Sequence, residues 1–450
     1  MYTSVIGKKL VQLHNERRGT SYDAKAFFSE VFYPLFYDSD RYLMWATNSP
    51  FVQGFSAKKA WSKSKREEAL LMLHQKVGQG DRDASIALGF PASEEKKYAS
   101  TSGQVTDLAY KSPSADVYCS WFGAALGIGV AGGYLLLIDH DQIIWDTFLG
   151  WQDYRRKLDD PVLDKLPPNK VNSWNGHWLY YQYGNIRVME KPTLSDLKIG
   201  LDNKGRAYDT SPIAWSRLLF ACSKKLPAEN HLLVSVFSIG NMNKSAGFVS
   251  MYLQSGRRLI DVYQKLFGED QYLQKAGSFE VFYGRHIKRA CELGSIGLQA
   301  LRPQGLEKYL KDPAKKYRLK PDDEAGMSQY FIYKTWITAM LNKNKEEVSD
   351  LTREFARVLQ SYRSQTTKTT HGNEIENNLL KSATPGQFLN TLTEIIAKAD
   401  KALLPTFNQL RDQAHFTSIQ DFRYFVTLLK FDYTYVERTS DLPQDSQITK

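Results

Sequence analysis

Three aspartates within eight residues, Asp139, Asp141 and Asp146, are the first candidates for chemistry, because clustered carboxylates can hold the cations of a metal-dependent nuclease. Alternate carboxylates across a tight turn mostly face water, however, and no acidic-x-Lys pattern accompanies them. Glu280, between two apolar residues, is the other carboxylate of interest. The sequence has no GxxxxGK[ST], HExxH, GxSxG or CxxC motif. We therefore predict no catalytic residue and no metal site, and a stand-alone nuclease is the alternative.

The most glycine-rich segment, residues 127–132, has the literal pattern GxGxxG. Dinucleotide binding by this pattern requires a preceding strand and a following helix. Here a strand-like run at 134–138 follows instead, and a second strand-like run covers 143–148 after a polar turn. The small residues are therefore expected to let two backbones approach closely, and no cofactor is predicted. Glycine and aspartate also interrupt the segment too often for a membrane span.

Cationic residues form the second set of candidates, since 59 Lys and Arg against 49 Asp and Glu give a net charge of +10. Such a surplus favours a polyanionic partner such as a nucleic acid. The residues predicted to bind phosphate are Lys58, Lys59, Lys63, Lys65, Arg66, Arg257, Arg258, Arg285, Lys288 and Arg289. The first five lie within nine residues around Trp61. The alternative is that these runs form solvated helix faces.

A glycine-bracketed turn at 240–247 is predicted between strands at 232–239 and 248–253. The candidates for reading bases are its Asn241, Asn243 and Lys244. Asparagine can bond the adenine edge in a bidentate way, and lysine can reach guanine or phosphate. The alternative is that Asn and Gly only supply turn conformations.

Positive charge is unevenly distributed along the chain. Residues 326–450 carry 15 cations and 14 anions, whereas residues 1–325 carry 44 and 35. A basic linker at 311–320 precedes the change. We therefore predict two domains, a basic nucleic-acid-binding body at 1–325 and a C-terminal helical bundle at 326–450. The three cysteines are far apart and form no disulfide framework, which favours a reducing cytoplasm.

Apolar periodicity indicates an α+β fold, with a mixed α/β N-terminal body containing antiparallel hairpins and a helical bundle behind it. Further strands are predicted at 174–188 and 279–283. Four amphipathic helices are predicted after residue 325, one of them opened by a Thr384-Pro385-Gly386-Gln387 capping box and another by Ser418. Aromatic residues make up 13% of the chain and either stack on bases or pack in sheets.

Three stretches resemble a known family. They are FSEVFYPLFYDSDRYLMWATNSPFVQGF (28–55), GIGVAGGYLLLID (127–139) and TPGQFLNTLTEIIAK (384–398). They resemble the large subunit of a type I CRISPR surveillance complex (Cascade), and more narrowly that of the Myxococcus-type variant. In layout the resemblance covers most of the chain.

This resemblance implies a noncatalytic DNA-binding subunit that recognises the protospacer-adjacent motif and stabilises the R-loop. Its partners would be CRISPR RNA, target double-stranded DNA, the other Cascade backbone subunits and a recruited helicase-nuclease. No motif-reading residue is carried over by the match. A structural protein whose basic face binds an acidic partner is the other alternative, besides the nuclease.

Overall fold

The computed structural model describes most of the chain. The described residues are 1–46, 49–53, 61–83, 85–90, 92–93, 105–106, 112–185, 188–189, 191–268, 279–284, 292, 294–319, 324–341, 345–366 and 369–439. They fall into two compact units, Met1–Gln254 with His286–Ile296, and Ser255–Arg285 with Gly297–Lys450. The predicted boundary between residues 325 and 326 lies inside the second unit.

The first unit surrounds an apolar sheet with helices. Its described helices are α1 (Tyr2–Arg18), α2 (Ala24–Phe27), α3 (Tyr33–Phe36), α4 (Lys63–Gly78), α5 (Ser114–Ala125), α6 (Asp141–Leu158), α7 (Val171–Gly184) and α8 (Trp215–Lys225). Its described strands are β1 (Ala92–Ser93), β2 (Val105–Thr106), β3 (Ile128–Val130), β4 (Tyr134–Ile138), β5 (His231–Ser238), β6 (Asn241–Tyr252) and β7 (Ser295–Ile296). A π-helical turn, Phe28–Phe32, connects α2 to α3, so Pro34 does not break the helical path.

Strands β3 to β7 form one sheet in chain order. The first four pair antiparallel, with Leu136 opposite Val236 and Ser235 opposite Phe248, and β7 runs parallel to β6. Residues 135–138 of β4 are all buried, which accounts for the continuous apolar run in the sequence. The predicted α+β class, with antiparallel hairpins and C-terminal helices, is confirmed.

Helices α1 and α5 cross at two glycines. A Cβ atom on Gly123 would lie 1.9 Å from the carbonyl oxygen of Thr3, and one on Gly7 would lie 1.9 Å from that of Cys119. Both glycines lie outside the segment 127–132, for which close backbone approach was expected; within that segment, a Cβ on Gly129 would lie 3.3 Å from the backbone of Asn172. The GxGxxG pattern itself forms β3 and its turn into β4, where Gly132 has φ 105° and Gly133 has φ 83°.

Aromatic side chains fill the core beside this crossing. Phe32 stacks on Phe36 with ring centroids 4.0 Å apart, and Trp151 meets Phe36 edge-on at 5.0 Å. Phe28 meets Trp121 edge-on at 5.6 Å. All five rings are fully buried, so this part of the aromatic content serves packing and not base stacking.

Three predicted strands are wrong. Residues 143–148 belong to α6, residues 174–184 of the predicted strand at 174–188 belong to α7, and residues 279–282 form a 3₁₀ helix. Helix α7 is buried on most sides, so its apolar residues do not recur with the 3.6-residue period that identifies a surface helix. Helix α6 does show that period, with Phe148 and Trp151 buried and Arg156 exposed, but the predicted strand covered only its residues 143–148. Short apolar runs of this kind are ambiguous between helix and strand.

The second unit is helical. Its described helices are α9 (Leu253–Phe267, whose first two residues belong to the first unit), α10 (Glu307–Lys311), α11 (Glu324–Met340), α12 (Lys345–Ser364), α13 (Thr370–Asn373), α14 (Pro385–Lys398), α15 (Leu404–Phe416) and α16 (Ile419–Thr439). The predicted caps are confirmed, because Thr384 Oγ1 accepts from Gln387 N at 3.3 Å and Ser418 Oγ accepts from Asp421 N at 3.1 Å. Helix α15 was not predicted as a separate element.

A buried ion pair joins three helices of the second unit. Lys334 of α11 donates to both carboxylate oxygens of Asp432 on α16, at 2.8 and 2.7 Å. Tyr330 and Thr352 donate to the same carboxylate at 2.6 and 2.7 Å. The network fixes the relative register of α11, α12 and α16.

None of the helices in the described ranges has the length and apolarity of a bilayer span.

Candidate polyanion-binding cleft

The cluster around Trp61 exposes two of its predicted phosphate-binding cations. Lys63 and Lys65 lie in the first turn of α4 and are exposed, and Lys65 Nζ lies 4.8 Å from the centroid of the Trp61 ring. Lys63 Nζ lies 3.9 Å from Glu67 Oε1, which is near the maximum distance for an ion pair. Lys58 and Lys59 lie outside the described residues, as do Arg285, Lys288 and Arg289.

Two of the predicted arginines already have partners within the fold. Arg66 donates to Asp40 Oδ1 at 3.0 Å, and Arg258 donates to the Leu341 carbonyl at 3.2 Å. Burial lowers the pKa of the Arg258 guanidinium. Arg257 is half-buried on α9. Arg66 and Arg258 therefore each use part of their five N–H donors to hold their own elements in place.

The predicted loop at 240–247 is wrong, because β6 begins at Asn241. The turn from β5 is two residues long, and Gly240 adopts φ 77°, the left-handed region that such hairpin turns require. The backbone of Asn241, Asn243 and Lys244 is therefore extended, and irregular pairing between Val236 and Ser238 accommodates it. The side chains of these three residues lie outside what the structure describes.

A cleft of about 950 Å³ opens elsewhere in the first unit, between the C-terminal end of α6 and the segment 191–200. Its charged lining consists of Arg156, Lys157, Lys191, Lys198 and Asp160. Four cations thus face one carboxylate across this space. We call it the basic cleft.

One wall of the basic cleft is the last turn of α6. Arg156 and Lys157 share one carboxylate, that of Asp153, which Arg156 contacts directly and which lies 3.2 Å from Lys157 Nζ. The Asp153 side chain is only 2% exposed and does not line the cleft, and its single negative charge balances one of the two positive charges of Arg156 and Lys157. Arg155 points away and donates to the carbonyls of Leu35 and Arg41.

The facing wall is a compact turn built from 193–199. Thr193 donates from its hydroxyl and its backbone to Asp196 at 2.7 and 2.8 Å, and these bonds lower the pKa of the Asp196 carboxyl. Ile199 N donates back to the Leu194 carbonyl at 2.8 Å. The turn presents the side chains of Ser195 and Lys198 to the cleft.

Lys198 holds a backbone conformation that lysine rarely adopts. Its φ is 60°, in the left-handed region, which costs a residue with a Cβ about 1–2 kcal/mol. The side chain is exposed, and no described carboxylate forms an ion pair with Lys198 or with Lys191. The Lys198 charge helps to lower the pKa of the nearby Asp196 carboxyl, so it is partly compensated; strained backbone of this kind often occurs at binding sites.

Beneath this turn lies the buried His177. Its Nδ1 is 3.0 Å from the Leu197 carbonyl oxygen and its Nε2 is 2.9 Å from that of Ser211. Burial lowers the pKa of the imidazole, an effect that its two carbonyl contacts partly oppose. His177 therefore supports the turn 193–199 from below as a structural residue.

The aspartates proposed for a nuclease occupy separate environments. Asp139 pairs with Lys9, whereas Asp146 accepts from Gln142 at 2.8 Å and from Tyr183 at 2.9 Å. Asp141 is exposed at the start of α6, and Glu280 is buried in the 3₁₀ helix of the second unit. Within the described ranges, no group of three His, Cys, Asp or Glu side chains is arranged to hold a metal ion.

Sequence reasoning missed the basic cleft. Its strongest local signal is the run Arg155-Arg156-Lys157, which is not among the predicted phosphate-binding residues. No family model, no curated protein and no solved structure matches this chain. The interpretation of the cleft therefore depends on its own geometry.

Proposed function

We propose that this chain binds nucleic acid and that the basic cleft holds the sugar-phosphate backbone. The observation that carries the proposal is the charge of the cleft, with four cations against one carboxylate and with Lys191 and Lys198 lacking any ion pair to a described residue. Phosphate groups are the ligands that such unpaired lysines favour, because binding releases condensed counterions.

The remaining groups of the basic cleft suit backbone contacts better than base reading. Hydroxyls from Ser195 and Tyr208 line it, and these can donate to phosphate oxygens. Tyr208 is the one aromatic residue in its described lining, so a row of stacked bases has no platform there. We therefore propose binding that depends on phosphate number and salt, with little dependence on sequence.

The finer assignment rests on the resemblance described above. We propose that the protein is the noncatalytic large subunit of an RNA-guided, Cascade-type complex in the cytoplasm, acting with CRISPR RNA, backbone subunits and a recruited helicase-nuclease. In such complexes base pairing reads the target, while protein contacts hold backbone and a short flanking motif. In this proposal the basic cleft contacts the nucleic-acid backbone, and Asn241, Asn243 and Lys244 are the candidates for contacting the flanking motif.

A salt titration of duplex DNA binding by the full chain tests the cleft. In a Lys191→Gln/Lys198→Gln double variant, the slope of log affinity against log salt should become shallower by about 1.8, since each lost phosphate contact contributes about 0.9. The matched control is Lys25→Gln/Lys225→Gln, which removes two exposed lysines of the same unit outside the cleft. Equal slopes for the wild type and the cleft variant would refute the proposal.

A further inference from the structure

The second unit contains a small polar cavity that the proposed function does not use. It measures about 70 Å³ and lies between the loop 313–317, the segment 376–381 and helix α16 at 430–437. That volume admits several waters or one small ion, and it excludes a nucleoside.

Lys430 lies at the wall of this cavity and is only 6% exposed. Its Nζ donates to the Pro313 carbonyl at 2.5 Å and to the Lys315 carbonyl at 3.4 Å. An ammonium group has three donors, so one remains after these two bonds. No described carboxylate forms an ion pair with it, although a buried charge without a counterion is costly.

The surroundings add positive charge. Lys315, Lys316 and Lys381 line the same cavity, and the Lys381 charge acts on Lys430. Burial lowers the pKa of Lys430 to about 8, an effect that Lys381 reinforces and that Asp312 partly opposes.

The two glutamates in the lining do not cancel this charge. Glu376 and Glu437 both accept from Arg363 Nη1, at 2.8 and 2.7 Å. Lys316 is 3.7 Å from Glu376. With Arg363 and Asp312 counted, the charged groups around the cavity are five cations and three anions.

We propose that this cavity binds one tetrahedral oxyanion of the phosphate or sulfate class, with Lys430 donating from inside and Lys381 closing the site from the surface. The bound anion would act as the counterion of the buried Lys430 ammonium group. The site is separate from the basic cleft, so either proposal can fail without the other.

Isothermal titration of the full chain with sulfate in phosphate-free buffer tests the proposal. We expect one bound sulfate in the wild type, loss of binding in Lys430→Met, and at least tenfold weaker binding in Lys381→Gln. Lys381 is half-exposed, so its variant remains informative if Lys430→Met does not fold. Lys401→Gln, which removes an exposed lysine of the same unit, is the control and should bind like the wild type.

The cleft variant Lys191→Gln/Lys198→Gln separates the two sites. Unchanged sulfate binding in that variant supports the proposal. Absence of sulfate binding in the wild type would overturn it, as would binding that survives in folded Lys430→Met or is lost in the cleft variant.

The pH dependence gives a second readout, because sulfate does not titrate in this range. Affinity should be constant below about pH 8 and should fall towards tenfold per pH unit above it, as free Lys430 loses its proton. Affinity that stays constant up to pH 10 would contradict the role of Lys430.

Discussion

Replacing Asp432 by asparagine should strongly destabilise the second unit. The carboxylate is fully buried and accepts four hydrogen bonds, two from Lys334, one from Tyr330 and one from Thr352. Asparagine is nearly isosteric, but its one amide oxygen can accept from only one of the two hydroxyls, and it leaves the Lys334 ammonium, 1% exposed, without its paired carboxylate. Breaking a buried pair in this way costs about 3–5 kcal/mol.

Urea denaturation of the full chain, followed by a probe in the second unit, measures this cost. Lys334→Met/Asp432→Leu removes both charges and should recover most of the loss, because a buried pair replaced by apolar residues of similar volume is often close to neutral. Lys311→Gln breaks the solvent-exposed pair with Glu307 and should cost less than about 1 kcal/mol. The reasoning fails if Asp432→Asn costs no more than this control, or if the double variant is as unstable as the single one.

The remaining predictions concern three other positions. Gly123→Ala should destabilise the first unit by about 3 kcal/mol or more in a thermal or urea melt, because the new Cβ meets the Thr3 carbonyl; a loss below 1 kcal/mol would contradict the crossing described. Lys198→Gly should preserve the free energy of unfolding or raise it by up to about 1 kcal/mol, because glycine adopts φ 60° freely. The same variant should weaken DNA binding severalfold. A loss of more than about 1 kcal/mol in stability would contradict the conclusion that the Lys198 backbone is strained. For Lys430 the folded pKa of about 8 is below the ordinary 10.5, so the unfolded state binds more protons between these values. The free energy of unfolding of the wild type, relative to that of Lys430→Met, should therefore rise by about 1–3 kcal/mol from pH 8 to 10.5. This gain should be lost as the pH falls through 8. A difference between the two proteins that does not change with pH would contradict the lowered pKa of Lys430.

Local patterns predicted the elements that have a characteristic sequence. Residues 134–138 are an apolar run bounded by turn residues, and they form β4. The cap at Thr384 combines a side-chain acceptor, proline at the next position and glutamine at the third, and it opens α14 as expected. In both cases the determining contacts lie within a few residues, which is why the sequence shows them.

Helix α7 was not predicted because its packing environment determines its conformation. Trp174 is fully buried on a helix whose other faces are also covered, so no polar stripe reveals the period. Helix α6 does have an exposed polar stripe that includes Gln152 and Arg156, but the strand-like run at 143–148 is too short to show it. The choice between strand and helix depends on packing partners distant in the chain, such as Asn175, which accepts from Trp151 Nε1 at 3.2 Å.

The basic cleft could not be predicted for a related reason. Its cations come from the end of α6 and from the segment 191–200, about 35 residues apart, and neither forms a recognised motif. The left-handed conformation of Lys198 is set by the turn around it, and nothing in the sequence marks it. The phosphate-binding site was predicted near Trp61 because counting charges along the sequence finds cations that are adjacent in the chain. It does not find cations that only the fold brings together.

The most direct test of the central claim is amine footprinting of the full chain with and without duplex DNA, using a lysine-reactive acetylating reagent and mass spectrometry. The account predicts that bound DNA slows the labelling of Lys191 and Lys198 by several-fold, while exposed Lys25 and Lys225 label at unchanged rates. Labelling of Lys191 and Lys198 that is equally fast with and without bound DNA, with protection confined to other lysines, would contradict it.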